Sequence, residues 1–230
     1  MSGDNKGKRL GLGLGLLGVF AVIFVLIFMP IFGGINGLDY LDNLYNSISK
    51  QSAYYIPGLQ KSSAGLAGKE VELTLTFAKP GEAQRAALLL TKAGARAQAT
   101  DASVAFKGDL GAVLSATLAD SDAMFHNQGE KLTKRYAANP KLMLYSWWQT
   151  LNAMEKSLNR GKLFAAAKQV ATVQARAVEM SYNYYGITPE SIGSKWMIVV
   201  FSLLFYVVYT LWYGYGVMYL FEGAGYRLSH

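Results

Sequence analysis

The chain opens and closes on long apolar runs, and between them apolar residues recur at the periods of helices and one clear strand. The first run, 10–33, carries no charge. At about 1.5 Å per residue it is long enough to cross a hydrocarbon layer of about 30 Å. It exceeds the apolar core of a cleavable leader, about 7–15 residues, and the stretch after Phe32 is a poor cleavage motif. It therefore reads as an uncleaved signal-anchor helix, with Pro30 near its far end. The second run, 195–221, is uncharged beyond Lys195 and reads as a second transmembrane helix. Tyr213, Tyr215 and Tyr219 sit toward its exit, where aromatic rings favour the headgroup level.

Residues 34–194 form the water-facing part. Leu38, Leu41, Tyr45 and Ile48 follow helical spacing with Asp and Asn between them, which predicts an amphipathic helix over 37–55 that stops before Pro57. The small residues of 61–69 read as a flexible link. Within 69–120 Val71, Leu73, Leu75 and Phe77 alternate with polar residues, the mark of a strand with one buried face. Pro80 then opens a helix that Gly94 closes. Val104 and Phe106 mark one or two further short strands. Asp109 caps a helix running to about Leu118, with Leu110, Val113, Leu114 and Leu118 inward, and Asp120-Ser-Asp122 reads as its stop.

Over 130–185, Leu144, Trp147, Leu151, Met154 and Leu158 keep a three-four spacing up to a break at Asn159-Arg160-Gly161. Leu163, Ala166, Val170, Val173, Ala177, Met180 and Tyr184 resume it. This predicts an αα-hairpin with a coiled-coil seam. Its second arm is expected to lead toward the second apolar run through a hinge at Gly186 and Pro189. The predicted fold class is an integral membrane α+β protein, in which two transmembrane helices flank a mainly helical water-facing domain with a small inserted α/β module. By order of elements that module resembles half or more of a ferredoxin-like unit.

Composition and charge narrow the picture. With 52% hydrophobic residues in two concentrated blocks, the chain is neither an ordinary soluble enzyme nor mainly disordered. Cysteine is absent, which excludes disulfides, thiolate metal sites and thiol nucleophiles. Lys6, Lys8 and Arg9 abut the first run and Arg227 comes after the second. Lys50, Arg176 and Lys195 lie toward the other side. The tight basic cluster places the tails, 1–9 and 222–230, in the cytoplasm and the middle in the periplasm or outside the cell, with the chain in the cell (inner) membrane.

Candidate chemistry is sparse. The histidines are His126 and His230. Asp122, His126 and Glu130 share one helix face and could hold a divalent metal, although a solvated charged face is the expectation. No Gly-x-Ser-x-Gly, no glycine-rich loop after a strand and no Walker lysine pattern occurs. Lys131, Lys134, Arg135 and Lys141 form a basic cluster that reads as solvated surface; nucleic acid is not an expected partner. Trp147 belongs to the hairpin seam, and Trp148 is a possible docking residue. No catalytic residue, cofactor or metal is expected.

The apolar runs carry the site candidates. Gly11, Gly15 and Gly18 offer a small-residue face for a close contact with the second apolar helix or with another subunit. Phe205, Tyr209 and Tyr213, with Phe201 before them and Trp212 beside them, line one face of the second run. That face could pack on a partner helix, contact a quinone, pigment or lipid, or simply meet the bilayer. No Asp, Glu, Lys, Arg or His lies within 10–32 or 196–221, so an ion or proton path is not expected. The expected function is that of a non-catalytic accessory or scaffold subunit of a larger membrane complex. Its partners would be other membrane-protein subunits or a second copy, and the lipid bilayer. The alternative is an extracytoplasmic ligand sensor that signals through a separate partner, since the helix–domain–helix order resembles the sensing half of a chemoreceptor.

Overall fold

The computed structural model describes residues 3–226, with side chains from residue 5 onward. In chain order its elements are α1 (Gly3–Phe28), α2 (Gly37–Ser52), α3 (Ile56–Ser63), a 3-10 turn (Ala64–Leu66), β1 (Glu70–Thr76), α4 (Pro80–Lys92), β2 (Arg96–Thr100), β3 (Ser103–Asp109), α5 (Leu110–Phe125), α6 (Gly129–Tyr136), α7 (Pro140–Arg160), α8 (Phe164–Val173), a π-helical segment (Gln174–Glu179), α9 (Met180–Tyr184) and α10 (Ile192–Gly223). The fold is mostly helical with one small sheet. Two helices are long and apolar enough to cross a membrane, over Asn5–Phe28 and Ile192–Gly223. The chain divides into two units: Met1–Gln51 with Pro189–His230, and Ser52–Thr188.

In the first unit α1 ends at Phe28, earlier than the apolar run itself. Pro30 cannot continue the helical hydrogen bonding. Gly33 and Gly34 both adopt positive φ and reverse the chain, and Phe32 N donates to Ile35 O at 3.1 Å. The run is therefore a helix plus a turn rather than a helix to residue 33. At the other end α10 starts ahead of its apolar run, at Ile192, because the Ser191 hydroxyl accepts from Gly193 N at 3.2 Å and caps it. α2 stops at Ser52, short of 55. Lys50 in its last turn is buried, which lowers its ammonium from the usual lysine value.

The second unit is built on one continuous hydrophobic core reaching from Ile56 to Val178. β3 lies at the centre of the sheet, antiparallel to both neighbours in the order β1-β3-β2. Leu75 faces Val104 and Leu73 faces Phe106, so the alternation in the sequence becomes the buried side of the sheet. β1 and β2 run parallel with β3 between them, a split β-α-β arrangement. α4 packs on β2 and β3, and α7 covers β1. The sheet and the helical hairpin therefore share a layer. Asp109 caps α5, its carboxylate accepting from Gly111 N at 2.8 Å.

Three local expectations change. Pro57 sits in the first turn of a new helix, α3, rather than in a loop, where its missing N–H costs nothing. The small residues after α3 form the 3-10 turn Ala64–Leu66 and stay largely exposed, with Ala67 set against α5, where a Cβ on Gly111 would lie 2.6 Å from its backbone. α5 also runs through Asp120 and Asp122 to Phe125 instead of stopping near Leu118. In the hairpin the second arm is interrupted by the π-helical segment. The extra residue of an i→i+5 turn shifts the helical phase of the residues beyond it, so Ser181, not Met180 or Tyr184, becomes buried there.

Candidate functional site

The aromatic and glycine residues singled out in the apolar runs meet along an antiparallel pair, α1 against α10. On α1 the inward positions are Gly13, Leu16, Leu17 and Phe20; on α10 they are Phe205, Tyr209, Trp212 and Gly216. Both sets keep the three-four spacing of a packed helix seam. Backbones approach closely where side chains vanish. A Cβ on Gly13 would lie 2.6 Å from Leu220 N, and one on Gly223 would lie 2.5 Å from Leu10 N. Gly216 receives Leu17, whose Cδ2 would be 3.0 Å from a Cβ there.

Farther along the seam, past Gly13 and Gly216, aromatic rings fill it. Phe20 stacks on Tyr209 with centroids 4.3 Å apart and meets Tyr213 at 5.0 Å. Tyr209 stacks in turn on Phe205 at 5.4 Å. The polar ends of two rings are satisfied across the seam. Tyr209 Oη donates to the Phe20 carbonyl at 3.3 Å, and Trp212 Nε1 donates to the Leu16 carbonyl at 3.1 Å. Such interhelical bonds matter where no water competes. Arg9 and Glu222 close the pair at one end with an ion pair of 2.5 Å. They stand just outside the two apolar runs, so the pair fixes the register of one helix against the other.

Of the sequence candidates, Tyr209, Trp212 and Tyr213 contact α1 directly, and Phe205 stacks on Tyr209 within α10. Gly11, Gly15 and Gly18 do not: a Cβ on any of them would meet nothing within 4 Å. This is a correction to one of the two contacts those glycines could make. At about 100° per residue Gly13 lies opposite Gly11 on the helix circumference, and only one of the two faces can meet α10. The glycines that make the contact are Gly13, Gly216 and Gly223. The seven-residue spacing of the last two, on the face of Tyr209 and Trp212, was the available signal.

Beside the seam lies a cavity of about 590 Å³, lined by Phe20, Phe24, Leu38, Leu41, Phe205 and Tyr206 among other apolar groups. α2 forms one of its walls and is held to α10 by Tyr45 Oη and Ser202 Oγ, 2.7 Å apart. The outer faces of both helices stay bare: Val25 of α1 is 59% exposed and Leu204 of α10 60%. The chemistry here is packing and neutral hydrogen bonding.

The second unit holds two polar clusters, one around Asp120 that sequence patterns did not reveal and one that joins Tyr54 to the expected neighbours Asp122 and His126. Asp120 is buried at 1% exposure and accepts from Arg135, from Tyr136 Oη and, at 2.8 Å, from Trp147 Nε1. It ties α5 to α6 and α7. Burial raises the Tyr136 phenol well above its ordinary value, and the bond to Asp120 adds to this. Asp122, next but one along α5, accepts from Tyr54 Oη at 2.6 Å and lies 3.3 Å from His126 Nδ1. Burial and that carboxylate push the Tyr54 phenol up to about 12. Glu130 does not join them, because α5 ends at Phe125 and Glu130 belongs to α6. Among the described residues no group of three or more His, Asp or Glu side chains is placed to hold a metal. Arg135 of the basic cluster is drawn into the Asp120 network, and Trp147 is buried as the seam predicted. His230 and Arg227 lie outside the described residues. No protein-family model matches the chain, and neither a curated protein nor a solved structure resembles it at a significant level.

Proposed function

We propose that this chain is a non-catalytic two-span membrane protein that serves as an accessory or scaffold subunit of a larger membrane complex. α1 and α10 cross the cell (inner) membrane, both termini face the cytoplasm, and residues 34–194 stand in the periplasm or outside the cell. The observation that carries the reading is the open glycine face of α1. A Cβ on Gly11, Gly15 or Gly18 would meet nothing within 4 Å beyond the helix's own backbone, while Gly13 on the opposite face meets α10. A face built for close helix approach with no partner in the chain fits a neighbouring subunit, either another membrane protein or a second copy. The bare outer positions of α10 fit the same setting, with lipid around them.

The test is extraction of the native protein in mild detergent, then native sizing and mass spectrometry of the chains that co-migrate. A defined assembly is expected, and Gly15→Ile is expected to release the chain from it without unfolding Ser52–Thr188. A lone monomer with an unaltered Gly15→Ile variant would sink the reading. Orientation is tested on single cysteines, since the chain has none of its own. Asn159→Cys is expected to react with an impermeant maleimide on intact cells, and Asn5→Cys only after lysis.

A further inference from the structure

The π-helical segment Gln174–Glu179 is a costly irregularity in a packed arm, and such segments mark functional places more often than ordinary helix does. Both of its ends are spent on one residue. Gln174 Nε2 donates to the Trp148 carbonyl at 3.1 Å, and Trp148 Nε1 donates to Glu179 Oε1 at 2.7 Å. The indole is thereby fixed at the surface of the hairpin. Tyr145, one turn away on α7, lies parallel to it with ring centroids 5.9 Å apart and 4° between planes. Tyr182 of α9 comes in at 52° to Tyr145, with centroids 6.4 Å apart. These three rings, with Glu179, Asn183 and Leu144, surround a cavity of about 290 Å³. Tyr145 is 45% exposed and Tyr182 37%, so solvent reaches the rings.

We propose that this pocket binds a small alkylammonium cation, a quaternary ammonium solute of the size of choline. Aromatic rings beside a carboxylate make an environment that attracts a poorly hydrated organic cation, through the ring faces that the Tyr145–Trp148 stack leaves free and the nearby anion. The volume is near the lower limit of ligand pockets, about 300 Å³, which suits a single ammonium head. The structure already shows the attraction from within: Lys141 Nζ stands over the Tyr182 ring at 5.2 Å from its centroid. Lys141 does not line the cavity, but its ammonium is a like charge beside Tyr182 and competes with an added cation for the field of the same ring and carboxylate. All of these groups lie within Ser52–Thr188, so the inference is independent of whether α1 and α10 span a membrane.

The experiment titrates the full-length protein in detergent with choline chloride and with tetramethylammonium chloride. Sodium chloride at matched ionic strength is the control, as is the neutral isostere of choline in which carbon replaces nitrogen. Binding is read by tryptophan fluorescence and by calorimetry. Saturable binding of both cations is expected, with none for sodium and none for the neutral isostere. Glu179→Gln keeps an acceptor for the Trp148 indole and removes the charge, and it should bind about tenfold more weakly. Lys141→Ala removes the competitor and should bind several-fold more tightly. The proposal is overturned if the neutral isostere binds as well as choline. It is also overturned if neither cation saturates the wild type or the Lys141→Ala variant, or if a folded Glu179→Gln variant binds unchanged.

Discussion

Asp120 shows how much of this structure is decided by single polar side chains that periodicity overlooks. In the sequence it stands with Asp122 as a helix stop; in the fold it is a fully buried acceptor for three donors from two other helices. Its partners lie 15 to 27 residues away, so no local pattern could show that its charge is satisfied. Removing it strands two buried donors, Tyr136 Oη and Trp147 Nε1. Asp120→Ala is therefore expected to lower the stability of Ser52–Thr188 by about 3 kcal/mol. Asp122→Ala, at a half-exposed pair, should cost less than about 1 kcal/mol. Urea unfolding of the two variants side by side measures the contrast, and equal losses would show that the Asp120 network is not what braces the core. Tyr54 gives a second test at this scale. Its phenol is raised from 10.0 to about 12, by burial first and by Asp122 second. A raised folded value means the stabilisation is whole below pH 10 and disappears as pH climbs through about 12. Ring-labelled tyrosine resonances should show this late ionisation, and Asp122→Asn should bring it earlier. An unmoved titration would leave burial as the entire cause.

Among the elements, those whose signal is local were legible and those set by partners were not. Val71, Leu73 and Leu75 carry their strand in their own alternation, and Asp109 carries its cap in its own side chain. Pro57 is ambiguous alone, since proline both ends and begins helices, and here it begins one. The π-helical segment lies inside an unbroken three-four pattern, and its ends bond to another helix, Gln174 donating to the Trp148 carbonyl and Glu179 accepting from the Trp148 indole, partners that no local pattern shows. In the site, the aromatic face of α10 was readable, but the glycine face of α1 was not. Glycines alternate at 11, 13 and 15, and the choice between opposite faces needs the partner helix. This yields a paired prediction. Gly13→Leu and Gly223→Leu put side-chain atoms where backbone now lies, at 2.6 and 2.5 Å, and should separate α1 from α10. Gly11→Leu should leave that pair intact. Crosslinking of cysteines placed at positions 9 and 222, where Arg9 now meets Glu222, reports the outcome. Equal crosslinking in all three variants would mean the seam does not depend on close backbone approach.

At the scale of the whole molecule, the central question is whether Ser52–Thr188 is a small sheet module beside a helical hairpin or one body. The packing argues for one body. α7 is at once the first arm of the hairpin and the cover of β1, and it also packs on α4. Leu75, Trp147 and Val170 belong to one buried cluster although they come from a strand and from both arms. A three-stranded sheet must bury its one apolar face against another layer, so the strands need α7 as much as the hairpin needs a neighbour. Expressed without the apolar helices, residues 52–188 should fold as a soluble monomer and unfold in a single transition, with tryptophan fluorescence and far-ultraviolet dichroism coinciding. Leu75→Ala, in the strand, should cost about 2–4 kcal/mol and shift the hairpin tryptophans by the same amount. Hydrogen exchange makes the same test residue by residue: amides of β3 and of α7 should open together at the global free energy. If the sheet opens first and the hairpin persists, the shared layer is a contact between two domains, and the organisation becomes modular after all.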